Sequence, residues 1–509
     1  MSQPMASLAP QDHVSEEECA RGLRLLVVEA AFSGGGGALT SGVILAAFAL
    51  HLGASNAMIG ILASAPFLAQ LLQLPAILLV ERLRQRKRIA VLSSVVGRLM
   101  LGVMAATAFF TGMTPLLVFL GAQFVLCGLG AVGSCAWNAW LRDLAPEKQL
   151  GQVFARRTAW VTAINLILGL TAAFALDTTG EGSPQRDILF ACMFAAGCVT
   201  GLISARIVSH MPEPAMPPPA DGPAPRLRAL LVQPLRDGNF RQLLVFIGSW
   251  QFAVNLATPF FTVFIVKQLG FDIGLVMILN VVSQIANILA LRFWGRLSDR
   301  FANKPVLAVC APVYILSIVG MIGASQLGDP DLVTGWLVLL HVFMGAAVAG
   351  VTLTATNIAL KLSPRGSATA YIAVSATVTA VAAGIAPILG GLLADFFTER
   401  KLELLLSWTN PRGVFDFPLI LTSWDFYFLL AGLFGFYAMH RLTLVAEQGE
   451  IEPREMMGEV LNETIRSIRN ISSVAGLRGA TVIPPSLPRD ARIRLRLARA
   501  RARRQLAHS

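Results

Sequence analysis

Twelve apolar runs of membrane length recur along this chain, and they restrict it to a multi-pass membrane protein. About twenty apolar residues cross a bilayer core of roughly 30 Å as a helix. Apolar residues make up 55% of the 509 positions and charged residues only 14%, which excludes an ordinary soluble protein. The predicted crossings lie near 25–50, 57–80, 89–111, 115–139, 158–176, 187–209, 241–266, 273–294, 305–326, 332–360, 369–396 and 424–445.

Two sets of loop residues recur 218 positions later and divide the chain into halves. They are Glu81-Arg82 with Asp299-Arg300, and Leu144 and Pro146 with Leu362 and Pro364. Parallel repeats that enter the bilayer in the same orientation need an even number of crossings each. We therefore predict an all-α membrane protein of twelve transmembrane helices in two pseudo-symmetric six-helix bundles.

The predicted organisation has five parts. They are a cytoplasmic segment 1–22, a bundle 23–209, a Pro-rich linker 210–240, a bundle 241–445, and a basic tail 446–509 with one amphipathic helix at Glu455–Ile471. Lys and Arg accumulate on one side of the crossings, so the positive-inside rule places both termini in the cytoplasm. Residues Thr398–Ser423 are expected to be a long outer loop. We expect a bacterial inner membrane.

The turn from Gly295 to Lys304 resembles the loop between the second and third helices in each half of a major facilitator superfamily transporter. Gly295, Asp299 and Arg300 match the family pattern, whereas Ala302 stands where a second glycine is usual. The resemblance covers about residues 23–445. It implies secondary transport by alternating access, with the first, fourth, seventh and tenth crossings facing a central cavity.

The same resemblance implies a conformational switch in the cytoplasmic turns, where acidic and basic residues pair when the protein opens to the outside. The alternative is that these charges only set membrane topology. The candidates are Glu81, Arg82, Gly295, Asp299, Arg300, Arg142 and Asp143. A further segment, Gly384–Gly391, is similar to the Gly-and-Pro motif of proton-linked antiporters, but it falls in the eleventh crossing instead of the fifth.

Polar and aromatic residues on the crossings that face the cavity are the substrate candidates. They are Trp137, Asn138, Trp250, Gln251, Asn255, Thr258, His341 and Asn357. Each of them could instead make a hydrogen bond between helices. These helices carry no cluster of Lys or Arg at mid-depth, which favours a neutral, zwitterionic or amphipathic solute.

Glu29 is the clearest charge within a crossing. A carboxylate in hydrocarbon persists only when it is paired, hydrated or neutralised. Because burial raises a carboxyl pKa, Glu29 is a candidate for proton coupling. The alternative is a structural partner for Arg21, Arg24 or a basic loop.

Other classes of function find little support in the sequence. No phosphate-binding loop follows the glycine cluster Gly34–Gly37, and the six cysteines show no metal-like spacing, so we expect no enzyme, cofactor or metal. Seven of the eleven net positive charges lie in Arg489–Ser509, a tail suited to anionic lipid and not to nucleic acid. We expect a monomer. A membrane scaffold without transport activity is the alternative reading.

Overall fold

Twelve long helices and one β-hairpin make up the described part of the chain. The computed structural model describes residues 9–11, 14–144, 147–180, 182–216, 232, 234–363, 368–410, 413–447 and 458. In the first half the helices are α1 (Glu16–Thr40 and Gly42–His51), α2 (Asn56–Ala69 and Gln73–Leu83), α3 (Arg86–Thr107), α4 (Met113–Leu144), α5 (Glu147–Asp177) and α6 (Pro184–Ser209). In the second half they are α7 (Gly238–Ala257, then short turns to Gln268), α8 (Ile273–Phe301), α9 (Asn303–Gln326), α10 (Pro330–Lys361), α11 (Ala368–Phe397) and α12 (Ser423–Thr443).

Every predicted crossing coincides with one of these helices. Among the described residues, α1 to α11 are long and apolar enough to cross a membrane. Helix α12 has 21 residues and takes the place of the twelfth expected crossing. The twelve-helix fold class is therefore confirmed.

The internal repeat is visible in how the helices pack. In the first half α1 packs against α5 and α6, α3 packs against α4 and α6, and α2 packs against α4. In the second half α7 packs against α11 and α12, α9 against α10 and α12, and α8 against α10, which are the equivalent pairs. Between the halves, α2 packs on α11 and α5 packs on α8. α2 of the first half is equivalent to α8 of the second, and α5 to α11, so the two contacts between the halves are themselves equivalent.

The glycine-rich segment of α11 makes the closest of these contacts between the halves. A Cβ atom on Gly391 would overlap the backbone of Asn56, and one on Gly60 of α2 would overlap the carbonyl of Pro387. A Cβ on Gly384 would overlap the side chain of Leu68. Small residues allow membrane helices to approach closely, and here they serve the contact between halves.

A β-hairpin joins α11 to α12, where we expected a loop. Strand β1 (Leu402–Asn410) pairs with β2 (Gly413–Leu421) in antiparallel register from Leu402 opposite Leu421 to Asn410 opposite Gly413. Gly413 has φ +142°, a conformation that favours glycine. The hairpin therefore lies within the long loop expected between the eleventh and twelfth crossings.

Several predictions fall outside the described residues. They concern the amphipathic helix at Glu455–Ile471, the basic stretch Arg489–Arg504, and most of the Pro-rich linker.

Candidate functional site

A cavity of about 800 Å³ lies among α7, α8, α10 and α11. Its wall is made almost wholly by the second half, and Phe67 of α2 is the first-half residue that reaches it. None of its described lining residues is Asp, Glu, Lys or Arg. The polar and aromatic lining residues include Trp250, Gln251, Asn255, Thr258, Asn280, Ser283, Gln284, Asn287, Tyr314, His341, Thr352, Thr356, Ser375 and Thr379.

Five of the eight predicted substrate residues line this cavity. They are Trp250, Gln251, Asn255, Thr258 and His341. The other three, Trp137, Asn138 and Asn357, do not. Trp137 packs edge-on against Trp140 within the first half, with ring centroids 5.3 Å apart. Asn357 follows the lining residue Thr356 on α10, and one residue turns a helix by about 100°, which takes the next side chain off the cavity face.

Helix α8 supplies a polar face that the sequence analysis missed. Its members are Asn280, Ser283, Gln284 and Asn287. Their spacing of three, four and seven residues places them on one side of a helix. This pattern is present in the sequence, but the family resemblance directed attention to the first, fourth, seventh and tenth crossings.

Three asparagines that line the cavity are held through their NH₂ groups. Asn255 Nδ2 donates to the carbonyl oxygen of Gln251 at 2.9 Å, Asn280 Nδ2 to that of Val276 at 2.9 Å, and Asn287 Nδ2 to that of Gly345 at 3.3 Å. Within the described part of the chain, the Oδ1 atoms of these three asparagines make no hydrogen bond. The cavity therefore offers oriented acceptors to a solute.

Aromatic residues line the cavity beside these amides. The rings of Trp250 and Tyr314 lie 5.7 Å apart, and the hydroxyls of Tyr314 and Thr258 are 3.2 Å apart. His341 is buried, and its Nδ1 lies 2.8 Å from the carbonyl oxygen of Leu337. This side of the cavity therefore combines apolar ring faces with hydroxyl groups.

Glu29 lies outside this cavity, within the first half. Its carboxylate is buried, accepts a hydrogen bond from Ser204 Oγ at 3.0 Å, and pairs with Arg157 Nη2 at 3.3 Å. It lines a separate cavity of about 340 Å³ together with Arg98 and Trp137. The basic partner that the structure shows for Glu29 is Arg157 of α5, whereas Arg21 and Arg24 were the residues named from the sequence.

Two equivalent charge clusters lie at helix ends, one in each half, on the side predicted to be cytoplasmic. In the first half, Arg86 is buried and pairs with Asp143, while its backbone N–H donates to Glu213 at 2.7 Å. In the second half, Lys361, which lies 218 residues after Asp143, pairs with the buried Glu447 at 2.8 Å. Each cluster ties the helix end to the segment that follows the sixth crossing of its half.

These clusters differ from the predicted switch. Asp143 binds within its own half. Glu81, Arg82 and Arg300 are exposed, and a Cβ on Gly295 would meet only Leu353. The side chains of Arg142 and Asp299 lie outside the described part of the structure. The acids that the sequence analysis missed, Glu213 and Glu447, lie in stretches that we had assigned to the linker and the tail.

Comparison with known proteins gives a family. The family model described as Major Facilitator Superfamily matches residues 27–333 and 251–483. An MFS-type transporter of Aspergillus terreus is 33% identical over 128 residues, which are 24% of this chain and 22% of that protein. The match thus spans about a fifth of the relative's length.

Solved structures show the same fold at low sequence identity. The nucleoside transporter NupG is 14% identical with a TM-score of 0.61, covering 83% of this chain and 98% of its own. A bacterial homolog of the human lysosomal transporter Spinster, inward-facing and occupied, is 15% identical with a TM-score of 0.59, covering 85% and 97%. The D-xylose–proton symporter is 14% identical with a TM-score of 0.58, covering 85% and 98%. Since the family model spans most of the sequence and the helices form the family's fold, this chain belongs to the Major Facilitator Superfamily and is a multi-pass membrane protein.

Proposed function

We propose that the chain moves a small neutral solute across the membrane by alternating access, and that the solute binds in the cavity of α7, α8, α10 and α11. The observation that carries this proposal is the uncharged, amide-rich lining of that cavity. A charged group removed from water without a partner costs several kcal/mol. A cavity of this composition therefore discriminates against ions and zwitterions.

The orientation of the amides narrows the class of solute further. Asn255, Asn280 and Asn287 each point their NH₂ group at a backbone carbonyl, which leaves each Oδ1 atom to accept a hydrogen bond from the solute. Trp250 and Tyr314 supply ring faces. A solute rich in hydroxyl or N–H donors with an apolar face, such as a sugar, polyol or nucleoside, fits this lining.

The binding experiment measures thermal stability of the purified protein in detergent against sugars, polyols, nucleosides, amino acids and organic anions. A ligand that binds only the folded state at a hundred times its Kd adds about 2.7 kcal/mol. We expect stabilisation by a neutral donor-rich solute and its loss in Asn255→Ala and Asn287→Ala. Asn357→Ala is the matched control, because Asn357 lies on α10 but not in the cavity. Stabilisation by charged solutes alone would contradict the proposal.

Membrane and orientation follow from the sequence. We place the protein in a bacterial inner membrane with both termini in the cytoplasm, because the basic loops lie on that side. With this orientation, the conformation seen in the structure opens toward the cytoplasm. The halves are joined at their outer ends, where α2 contacts α11 and α5 contacts α8.

Proton coupling through Glu29 also stays a proposal. The carboxylate of Glu29 pairs with Arg157 at 3.3 Å, and Arg98 lines the same cavity as Glu29. Glu29→Gln would therefore remove an ion pair that joins α1 to α5. Uptake of the solute found above, measured against pH, should lose its pH dependence in Glu29→Gln; an unchanged pH profile would remove Glu29 from the coupling.

A further inference from the structure

Two aspartates reach across the interface between the halves at their outer ends. Asp177, the last residue of α5, accepts the backbone N–H of Ile273 at 3.0 Å and that of Gly274 at 2.7 Å. These are the first two N–H groups of α8, which belongs to the other half. A helix end in one half is thus bound to a helix start in the other.

The second aspartate makes the equivalent contact in the opposite direction. Asp395, near the end of α11, accepts the N–H of Asn56 at 3.1 Å and that of Ala57 at 2.9 Å, the first two of α2. Asp395 lies 218 residues after Asp177, which is the spacing of the internal repeat. The same capping contact therefore occurs twice, related by the pseudo-twofold axis.

The helix starts depend on these carboxylates. The first N–H groups of a helix have no partner within it and carry partial positive charge. The N-cap residue of α8, Asp272, makes no side-chain capping bond, and Ser55 before α2 caps only Met58. The N–H groups of the first two residues of each helix are satisfied instead from the opposite half.

The same carboxylates are poorly placed within their own helices. Each lies at a helix C-terminus, where the partial charge is negative and a carboxylate is unfavourable. The helix starts that they cap are within reach only when the halves meet on the outside. These hydrogen bonds therefore stabilise the conformation in which the outer ends of the halves are in contact.

We propose that Asp177 and Asp395 are paired outer latches, which hold the outer side of the cavity closed and must leave the starts of α8 and α2 before the protein opens outward. This rests on the alternating access proposed above. Asp177 is half-buried and Asp395 is exposed, so Asp177 contributes more.

The test measures the distance between spin labels on the outer ends of α4 and α10. Thr114→Cys and Leu332→Cys place labels at exposed, repeat-equivalent positions, after the six native cysteines are replaced. Asp177→Asn should raise the ratio of outer-open to outer-closed molecules about tenfold. A tenfold change in this ratio corresponds to about the stabilisation that a charged group provides at a partly buried helix end. Asp395→Asn should raise it less, and the double variant more than either. Unchanged distances in folded Asp177→Asn protein would overturn the proposal.

Two further variants separate the latch from a general loss of stability. A Cβ on Gly274 would overlap the Asp177 carboxylate, so Gly274→Ala should open the outer side although the aspartate remains. By helix propensity alone the same change would be stabilising. Asp187→Asn is the control, because Asp187 also lies at the outer side but pairs with His51 in its own half. It should leave the distances unchanged; an equal shift in Asp187→Asn, or none in Gly274→Ala, would contradict a latch.

These distances are measured without solute. A change in them supports the latch even if every solute in the panel fails to bind. Conversely, solute binding with unchanged distances would keep the proposed function and remove the latch.

Discussion

Single residues show how the segment after the last helix is held to its own half. Glu447 is the clearest case, because it lies beyond the last helix and yet is buried. Burial alone would raise its pKa, but hydrogen bonds from Lys361, Asn303 and the N–H of Lys304 outweigh burial and lower the pKa below its usual value. The native state therefore favours the ionised form.

We expect a pH-dependent contribution to stability from Glu447. A carboxyl group whose pKa is lower in the folded protein than in the unfolded chain stabilises the fold at pH values above the pKa of the unfolded chain. This contribution is lost as the pH falls through the pKa of the folded protein. Glu447→Gln should lower the free energy of unfolding by about 2 kcal/mol at pH 7, and its difference from wild type should shrink below about pH 4. Thermal unfolding in detergent across pH measures this.

The control for Glu447 is an exposed acid. Glu403→Gln removes an exposed partner of Lys401 on the hairpin and should cost about 0.5 kcal/mol or less. A pH-independent cost for Glu447→Gln would show that the carboxylate charge is not what stabilises the cluster.

Ala302 shows a second effect at this scale. It stands where the family pattern has glycine, and its backbone has φ +74° and ψ 173°, a conformation almost restricted to glycine. Ala302→Gly should therefore stabilise the protein by about 1 kcal/mol, measured by thermal unfolding. Ala324→Gly, at a buried position within α9, is the control and should destabilise. Equal loss in both variants would mean that the turn is not strained.

Helices are the scale at which sequence patterns were most informative. The lengths of the apolar runs and the 218-residue spacing predicted all twelve helices and the pairing of the halves. The family resemblance, together with the helical spacing of polar residues on α7, located five of the residues that line the cavity. The sequence could not show that Trp137 turns inward to Trp140, or that Glu29 meets Arg157 across 128 residues. Such contacts depend on which helix faces are adjacent, and that is set by the tertiary packing.

The contact between α2 and α11 gives a prediction at this scale. A Cβ on Gly60 would overlap the carbonyl of Pro387, and overpacking of this kind costs about 1–3 kcal/mol. Gly60→Ala should therefore destabilise the outer-closed conformation. The fraction of molecules with a long distance between the labels at Thr114→Cys and Leu332→Cys should increase. Gly121→Ala on α4, where a Cβ meets nothing within 4 Å, is the matched control. If both variants gave the same distances, the glycine would not be required for closure.

At the scale of the whole molecule, the two halves play different parts. The described cavity is lined by the second half and reached by Phe67 alone from the first, while the buried acid Glu29 and its arginines lie in the first half. In the function proposed above, solute recognition and proton coupling are thus separated between halves that share one architecture. The contacts of α2 with α11 and of α5 with α8 join the two halves, so a change in one half can be transmitted to the other through them.

Sided labelling tests this organisation in the intact membrane. Ser283 lies on the cavity face of α8, about ten residues from its outer end. In a cysteine-free background, Ser283→Cys should react with a membrane-impermeant maleimide added from the cytoplasmic side and be protected from the outside. Removing both latches, Asp177→Asn with Asp395→Asn, should add reaction from the outside, because the halves then separate at their outer ends. Thr114→Cys, exposed at the outer start of α4, reports that the vesicles are correctly oriented. Reaction of Ser283→Cys from the outside at the same rate with and without the latches would mean that the outer contacts do not close the cavity.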